Sequence, residues 1–330
     1  MSDKLEIAIA GATGFVGIEL IKKLYDHPNV ILKHLFVKES IDEDIYKSLP
    51  NNITDLPKLK KLDIDLIKKC DVFFSALPHA ELHKIAKEII LDTVIIDLSA
   101  DFRLPDISVY EKWYKIKHES PELQSQSTYG LSEIFRDKIV KSNLISCPGC
   151  YPTSVLLPLI PLIHNKMIDC SNIIIDSKSG YSGAGKKIHN NKDYPNLDEN
   201  IAIYGVGNHR HMPEINHYLS LFSNETIQVS FTPHLIPTFR GMLSTIYVKS
   251  ETSLDEIYKT LKNKYENEQF VDVFKSKMIN TNEVINTNKA LISIFESNVK
   301  GSYIICCSID NLLKGAAGQA VQNFNIKYNF

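Results

Sequence analysis

A glycine-rich turn near the N-terminus, between an apolar strand and a helix, is the feature that most constrains the fold. The strand-like run EIAIA precedes the turn GATGFVG, and a helix-like run from Ile18 to Tyr25 follows it. Gly11, Gly14 and Gly17 permit a tight turn that sets the pyrophosphate of a dinucleotide against the helix N-terminus. A second strand from Ile31 to Val37 completes a βαβ unit. The pattern predicts dinucleotide binding, with a purely structural turn as the alternative.

Strand-like and helix-like runs continue to alternate after this unit. Short β-type runs lie at Val72 to Ala76 and at Thr93 to Leu98, with a helical pattern from Glu81 to Ile90 between them. This alternation predicts an α/β protein whose N-terminal domain is a Rossmann-like, doubly wound sheet. After Cys150 the β-rich runs outnumber the helical ones. A second, α+β domain with a largely antiparallel sheet is therefore expected.

Composition excludes several classes of partner. Lys and Arg number 37 and Asp and Glu number 39, a net charge of −2, so nucleic-acid binding is not expected. The longest apolar run, Val155 to Ile163, is far short of the roughly 20 residues that a membrane span needs. The N-terminus is not typical of a secretion signal, and the six cysteines have irregular spacing. We therefore expect no membrane partner and a location in the reducing cytoplasm.

The end of the second strand indicates which dinucleotide binds. An NAD site commonly places an acidic residue there to hold the ribose hydroxyls. Here Val37 is followed by Lys38, Glu39 and Ser40, and Lys38 and Ser40 can receive a 2′-phosphate. NADP is therefore favoured, although Glu39 is the kind of residue that an NAD site uses. The turn residues predicted to contact the cofactor are Gly11, Thr13, Gly14, Phe15, Val16 and Gly17.

A cysteine at a turn that opens a helix is the first candidate for chemistry. In SCPGCYPT, Pro148 and Gly149 favour a tight turn directly before Cys150. A helix N-terminus stabilises a thiolate, so Cys150 is predicted to be a nucleophile. Three alternatives stay open: a redox dithiol with Cys147, a zinc site shared with histidines, and an inert buried thiol. No metal is expected, because no second CxxC completes a zinc ligand set.

The histidine-rich segment NHRHMPE contains the base that a thiol nucleophile needs. In an extended segment, His209 and His211 face the same side and Arg210 faces the other. Either histidine can be the general acid and base, and the choice stays open here. Arg210 can bind an anionic substrate bidentately, and Glu214 can orient an imidazole. The alternative is an ordinary polar surface loop.

Two further stretches contain candidate anion contacts. The loop SKSGYSGAGKK, residues 177–187, follows a predicted strand but lacks the GK[ST] ending of a P-loop, so ATP binding is not supported. Its serines and backbone N–H groups suit a phosphate or the nicotinamide end of a cofactor, with a flexible turn as the alternative. Arg240, after the run HLIPTF, is another candidate.

These motifs, in their order, resemble those of the N-acetyl-gamma-glutamyl-phosphate reductase family, which is related to aspartate-semialdehyde dehydrogenase. The matching segments are GATGFVG (11–17), ALPH (76–79), DLSADFR (97–103), YGLSE (129–133), PGCYPT (148–153), SGYSGAG (179–185), HRHMPE (209–214), PTFRG (237–241) and KGAAGQA (314–320). Single motifs are unspecific, but the ordered set covers nearly the whole chain. The family often has Asn where this chain has Cys147, and residues 38–62 match only loosely.

The resemblance implies NADPH-dependent reduction of N-acetyl-gamma-glutamyl phosphate to N-acetylglutamate semialdehyde, a step of arginine biosynthesis. Cys150 would attack the acyl phosphate to give a thioester and free phosphate, NADPH would deliver hydride, and His209 or His211 would transfer protons. The alternatives are an aspartate-semialdehyde dehydrogenase, a reductase of carrier-bound aminoadipyl or glutamyl phosphate, and a non-catalytic NADP-sensing protein.

The resemblance also implies domain limits and further contacts. Residues 1–149 would bind NADP, completed by a C-terminal helix at 312–330, and residues 150–311 would form the catalytic and oligomerisation domain of a homodimer or homotetramer. A nicotinamide pocket is expected near Pro78 and His79, closed by the serine–glycine loop. The other expected cofactor contacts are Ser179, Gly180, Ser182, Gly183, Asn311 and Lys314, and the expected substrate contacts are Arg103, Tyr151, Arg210 and Arg240.

Overall fold

Two compact units make up the chain. The computed structural model describes residues 4–39, 41, 42, 44–186, 188, 196 and 199–330. The first unit contains the chain up to Pro148 together with Ala316–Phe330, and the second is Gly149–Gly315. Each unit contains one seven-stranded sheet. The chain therefore enters the second unit one residue before Cys150.

The sheet of the first unit is parallel. Its strands are β1 (Leu5–Ala10), β2 (Val30–Val37), β3 (Leu59–Lys61), β4 (Val72–Ser75), β5 (Val94–Asp97), β6 (Ser127–Tyr129) and β7 (Leu144–Ser146). Their spatial order is β3-β2-β1-β4-β5-β7-β6, and every pair is parallel. The chain winds outward from β1 in both directions, and Ile7 to Ala10 are fully buried, as expected for a strand covered on both faces. The predicted Rossmann-like sheet is confirmed.

Helices connect these strands. They are α1 (Phe15–Leu24), α2 (Ile64–Ile67), α3 (Leu82–Ile89), α4 (Ile107–Tyr114) and α5 (Ser132–Lys141). Helix α1 buries Ile18, Ile21 and Leu24, which are three residues apart and lie on one face of a helix. The glycine turn therefore connects the central strand to a helix that packs in the core.

The sheet of the second unit is mixed and mostly antiparallel. The helices and strands of this unit are α6 (Cys150–His164), β8 (Asp169–Gly180), β9 (Ala202–Ile203), α7 (Met212–Ser223), β10 (Ser230–Ile236), β11 (Met242–Lys249), α8 (Leu254–Tyr265), β12 (Val271–Lys275), β13 (Ala290–Glu296) and β14 (Ser302–Ile309). The order is β12-β13-β14-β11-β8-β10-β9, and only the β12–β13 and β8–β10 pairs are parallel. The predicted second sheet is confirmed.

One face of this sheet carries helices. In β11, buried Met242, Ser244, Ile246 and Val248 alternate with more exposed residues, the period of two expected for a sheet covered on one side. Helix α6 packs on β8, β11 and β14 and is apolar on nearly every side. Helix α8 begins with a capping box, in which Ser253 and Glu256 bind each other's backbone N–H groups.

The C-terminal segment from Ala316 onward belongs to the first unit. Leu313–Ala317 form a π-helical turn, and α9 (Gly318–Tyr328) follows, so the predicted helix at 312–330 is α-helical only from Gly318. Asn323 of α9 donates to the carbonyl of Gly130 at 2.8 Å within that unit. No helix in the described part of the chain is both long and apolar enough to cross a membrane.

Candidate active site

Cys150 is the first residue of α6. Gly149 is the N-cap, with φ −65° and ψ 156°, and no side chain caps this helix end. The backbone N–H groups of the first turn and the positive end of the helix dipole therefore favour the thiolate of Cys150. Cys150 is also partly exposed, as a nucleophile must be.

Two side chains from the start of α7 fix the turn before Cys150. Glu214 is buried, and its Oε1 accepts the N–H of Gly149 at 2.9 Å. The ring of His211 lies against the α-carbon of Gly149, because a methyl group there would sit only 2.5 Å from His211 Nε2. Glu214 thus holds the backbone of the turn, and His211 places a ring nitrogen beside the residue that precedes the thiol.

His209 lies in an aromatic enclosure. Its ring centroid is 5.5, 5.3, 5.5 and 4.9 Å from those of Tyr151, Tyr204, Phe231 and His211. Burial, and secondarily the charge of Arg210, lowers the pKa of His209 to about 4. Its Nδ1 accepts the N–H of His211 at 3.1 Å, so the neutral ring carries its proton on Nε2. His209 therefore supports His211 and is uncharged at pH 7.

The histidine segment is not extended, so that prediction was wrong. Turns precede α7, which begins at Met212 with Pro213 in its first turn. The N–H of Met212 already bonds to the carbonyl of His209 at 2.9 Å. The two rings meet because the chain turns into a helix, and not because of strand alternation. Pro213 and Glu214, both typical of a first helical turn, were the signals that sequence reasoning missed.

Tyr151 forms part of the wall behind the histidines. It is only 2% exposed, and its ring centroid is 5.8 Å from that of His211. Its hydroxyl accepts from the hydroxyl of Tyr204 at 2.9 Å and lies 3.4 Å from the carbonyl oxygen of His234. Burial raises the pKa of Tyr151 well above its ordinary value. Tyr151, predicted as a substrate contact, is therefore a neutral buried support for the imidazoles in this structure.

Of the predicted anion contacts in the second unit, Arg240 is engaged by protein and Arg210 is exposed. Arg240 Nε lies 3.0 Å from Asp310 Oδ2, and its Nη2 donates to Oδ1 at 3.1 Å. The remaining nitrogen, Nη1, donates to Asn286 Oδ1 at 2.8 Å. Arg210 lies in the turn before α7.

The serine–glycine loop is anchored on the turn before β11. A short 3-10 turn, Tyr181–Ala184, follows β8. The N–H groups of the loop donate to carbonyls of that turn at 2.8, 3.0 and 2.9 Å, in the pairs Gly180 to Gly241, Tyr181 to Thr238 and Ser182 to Phe239. Gly180 allows this approach, since a Cβ there would lie 2.7 Å from the carbonyl oxygen of Phe239. These bonds make the loop an anchored one.

Asn311 joins this loop to the end of β14. Its Oδ1 accepts the N–H of Gly241 at 2.8 Å, and its Nδ2 donates to Ser182 Oγ at 2.9 Å. Gly183 lies close to Ser179 and Asn311, because a Cβ at Gly183 would lie 3.3 Å from Ser179 Oγ and 3.6 Å from Asn311 Nδ2. Four of the predicted cofactor contacts and Asn311 are thus gathered at one place in the second unit.

Gly315 and Lys314 lie in the π-helical turn after β14. A Cβ at Gly315 would lie 2.7 Å from Cys150 Cβ, so this glycine borders the nucleophile directly. Lys314 is fully buried, with its Nζ 5.9 Å from the ring centroid of Phe270. The segment KGAAGQA is one of the matching motifs, but its sequence alone does not identify Gly315 as the neighbour of the thiol.

The glycine turn of the first unit has the geometry of an anion site. Gly11 has φ +76°, and a side chain there would overlap the carbonyl of Ala76. Gly14 is the N-cap of α1, which has no side-chain cap and no acidic residue in its first turn, Phe15 to Gly17. Thr13 lies in the turn itself. A helix start with no acidic side chain in its first turn fits the pyrophosphate of a dinucleotide.

The structure places Pro78 and His79 after β4, the strand that pairs with β1 and whose end touches the glycine turn. His79 Nδ1 accepts the N–H of Ala100 at 3.1 Å. Lys38 follows β2, has a side chain that is 71% exposed and lies 3.7 Å from a carboxylate oxygen of Glu81. Ser40 lies outside the described residues.

A buried carboxylate that sequence reasoning missed holds the loop after β4. Asp101 Oδ1 accepts the N–H of Ala80 at 2.7 Å, and Oδ2 accepts that of His83 at 3.2 Å. Ala80 has φ +65°, a conformation that alanine rarely adopts, and this bond stabilises it. The polar run DLSADFR after a buried strand was the available signal.

Arg103, a predicted substrate contact, and Cys147 contact each other within the first unit. Arg103 is buried, and it donates from Nε to the carbonyl of Cys147 at 2.8 Å and from Nη2 to that of Leu98 at 2.9 Å. Burial raises the pKa of the Cys147 thiol to about 12. A protonated, enclosed thiol is a poor partner in disulfide exchange, which weighs against the dithiol alternative. Among the described residues, no three or more His, Cys, Asp or Glu side chains form a group that could hold a metal ion.

Comparison with known proteins identifies similar chains along the full length. Residues 6–142 match a family model described as "Semialdehyde dehydrogenase, NAD binding domain", and residues 150–311 match one described as "Semialdehyde dehydrogenase, dimerisation domain". A protein of Ehrlichia ruminantium named N-acetyl-gamma-glutamyl-phosphate reductase is 42% identical, with 99% of this chain and 95% of the relative covered. One of the same name from Caldicellulosiruptor saccharolyticus is 44% identical, with 98% and 96% covered.

Solved structures show the same fold at lower identity. Aspartate semialdehyde dehydrogenase II from Vibrio cholerae has a TM-score of 0.73 at 16% identity, with 99% of both chains covered. Aspartate semialdehyde dehydrogenase with NADP from Candida albicans has a TM-score of 0.69 at 15% identity, with 98% of both chains covered.

Proposed function

We propose that this chain, which belongs to the N-acetyl-gamma-glutamyl-phosphate reductase family, reduces N-acetyl-gamma-glutamyl phosphate to N-acetylglutamate semialdehyde and releases phosphate, as a step of arginine biosynthesis. The observation that carries the proposal is the placement of Cys150 at an uncapped helix N-terminus, with the ring of His211 against the residue before it. This arrangement supports nucleophilic catalysis by a thiolate with an adjacent acid and base.

The thiolate of Cys150 attacks the acyl carbon, and the bond from that carbon to the phosphate oxygen breaks to leave a thioester. His211 takes the thiol proton and returns a proton to the departing phosphate, because its ring lies beside the turn that presents the thiol. Bound NADPH supplies the hydride that reduces the thioester. Expulsion of the thiolate from the reduced carbon then leaves the aldehyde.

His211 is proposed as the acid and base in preference to His209. A pKa of about 4 keeps His209 neutral at the pH of the reaction, and its Nδ1 is already bonded to the backbone of His211. His209 is a positioning residue in this proposal. Glu214 acts in the same way, since its carboxylate holds the N–H of Gly149. Arg210, exposed at the same turn, is proposed to contact the anionic substrate.

The residues proposed to hold NADPH fall into two sets. In the first unit the glycine turn would bind the pyrophosphate, with Lys38 near the 2′-phosphate and Pro78 and His79 near the nicotinamide. In the second unit the anchored serine–glycine loop and Asn311 provide hydroxyl, amide and N–H groups. The match of residues 6–142 to a model described as an NAD binding domain supports the first set.

We also propose that the chain forms a homodimer or homotetramer in the cytoplasm. The match of residues 150–311 to a dimerisation domain supports self-association. All six cysteines are free thiols, a state that a reducing compartment maintains. Light scattering after size exclusion, at several protein concentrations, measures the assembly.

The reverse reaction tests the function. NADP reduction is followed with N-acetylglutamate semialdehyde or with aspartate semialdehyde, with and without phosphate. We expect phosphate-dependent turnover that favours the N-acetylated substrate. Cys150→Ser should abolish turnover, and the matched control Cys147→Ser should retain it. Turnover that needs no phosphate, or that needs Cys147 and not Cys150, would refute the mechanism, and a preference for aspartate semialdehyde would reassign the substrate.

A further inference from the structure

The ion pair between Arg240 and Asp310 is enclosed in the protein. Asp310 is fully buried, and the side chain of Arg240 is 12% exposed. The planar guanidinium meets the carboxylate with two nitrogens, 3.0 and 3.1 Å from its two oxygens, and uses the third on Asn286. A bidentate pair of this kind fixes orientation as well as distance. The guanidinium is thus directed at protein and not at a ligand.

Asp310 organises the turn that leads to the thiol. Its Oδ1 also accepts the N–H groups of Leu312 and Leu313 at 2.9 and 3.1 Å, and its backbone carbonyl accepts that of Gly315 at 3.0 Å. Gly315 then borders Cys150, where a Cβ would come within 2.7 Å of Cys150 Cβ. The position of Gly315 beside Cys150 therefore depends on Asp310.

The residue after Asp310 extends the same connection to the serine–glycine loop. Asn311 bonds to the N–H of Gly241, the residue after Arg240, and to the hydroxyl of Ser182. Gly241 in turn accepts the N–H of Gly180 at 2.8 Å. The buried ion pair thus holds two structures in place: the serine–glycine loop, through Gly241 and Asn311, and the turn that places Gly315 beside Cys150.

We infer that Arg240 and Asp310 are positioning residues that set the reactivity of Cys150, and that Arg240 is not a substrate contact. We call Arg240, Asp310 and Asn311 the clamp. The inference rests on the proposed function, and it assigns Arg240 differently from the sequence-based prediction. A buried carboxylate that loses its partner becomes an uncompensated charge, so a change at either end of the pair disturbs the turn.

Kinetics separates positioning from substrate binding. We expect Asp310→Asn and Arg240→Lys to lower kcat about 10- to 100-fold with KM changed less than about threefold, since a displacement near 1 Å in a reacting group has effects of that size. The double variant should be no worse than the more damaged single variant, because both changes break one interaction. The matched control is the exposed ion pair between Asp272 on β12 and Lys289, the residue before β13, where Asp272→Asn should leave kcat unchanged.

Alkylation of Cys150 by iodoacetamide, mapped by mass spectrometry, is the second readout and uses neither substrate nor cofactor. Both clamp variants should shift the dependence of the alkylation rate on pH, and Asp272→Asn should not. The folded fraction of each variant is measured by circular dichroism, and each alkylation rate is normalised to it. If Asp310→Asn folds poorly, Arg240→Lys, which keeps a cation beside Asp310, still tests the clamp.

A folded Arg240→Lys protein with a raised KM, an unchanged kcat and a wild-type alkylation profile would overturn the inference and make Arg240 a substrate contact. Unchanged kinetics and alkylation in both variants would overturn it as well. Failure of the proposed function has a different signature, since the wild-type protein would then show no phosphate-dependent NADP reduction while the alkylation comparison still reports on the clamp.

Discussion

Replacing Gly149 with alanine tests the placement of His211 directly. The backbone at Gly149, φ −65° and ψ 156°, is one that alanine adopts freely, so the change adds no backbone strain. The new methyl group would instead lie 2.5, 2.7 and 2.8 Å from Nε2, Cε1 and Cδ2 of His211. Ordinary contact at such a carbon begins at 3.4 Å, so the ring must retreat by about 1 Å.

A retreat of this size predicts the loss of activity. A displacement of about 1 Å in a reacting group lowers the rate roughly 100-fold, which corresponds to about 2.7 kcal/mol of transition-state stabilisation. We expect kcat in the phosphate-dependent oxidation of N-acetylglutamate semialdehyde to fall by that factor. KM should change little, because the perturbation acts on the acid and base and not on substrate binding.

The control is a double-mutant cycle with His211→Ala. If Gly149→Ala acts by displacing the ring, it should have no further effect once the ring is gone. Thermal melts accompany the kinetics, because the buried methyl group also lowers stability if the hydrogen bond from the N–H of Gly149 to Glu214 breaks. A Gly149→Ala enzyme that folds and keeps kcat within about threefold of wild type would show that His211 does not act from this position.

Three further predictions concern other parts of the structure. Gly11→Ala should weaken NADPH binding more than about tenfold in calorimetry, because Gly11 has φ +76° and a methyl group would strike the carbonyl of Ala76; unchanged affinity would contradict the glycine-turn assignment. Burial lowers the pKa of His209 from 6.5 to about 4, so the unfolded chain binds a proton at this site more readily than the folded protein. The free energy of unfolding should therefore be unaffected by this group above pH 6.5 and should decrease as pH falls towards 4, by about 2 kcal/mol at pH 5. Urea unfolding of His209→Gln should lack this loss, and equal pH dependence in both proteins would exclude it. Gly315→Ala should slow alkylation of Cys150, since its Cβ would lie 2.7 Å from that of the thiol residue, and an unchanged rate would refute the contact.

The central strands of the first unit and the helices between them could be predicted. Alternation of apolar strands with helical runs and the glycine turn identify β1, α1, β2, β4, α3 and β5, and the structure moves their ends by only a few residues. Strands β12 and β13 of the second unit were not predicted. The run ALISIF in β13 is buried on both faces, and hydrophobic periodicity cannot distinguish such a run from a buried helical segment.

The candidate site was predictable in its residue types and not in its contacts. Cys150, His209 and His211 stand out by chemistry and spacing, but the bond of Gly149 to Glu214 joins residues 65 apart and the pair of Arg240 with Asp310 joins residues 70 apart. Such partners come together only when the second sheet forms. The sequence alone therefore suggested a ligand contact for Arg240, because it does not show that Asp310 lies beside this residue in the fold.

The groups that we propose to make Cys150 reactive belong to the second unit. Glu214 accepts the N–H of Gly149, His211 lies against Gly149, and Gly315, which the clamp is proposed to position, borders Cys150. None of these contacts involves the glycine turn of the first unit. The thiol should therefore be chemically competent before a dinucleotide binds, and the pH dependence of its alkylation should be the same with Gly11→Ala as with wild type. A shift in that profile would mean that the first unit, and not the clamp alone, sets the state of the thiol.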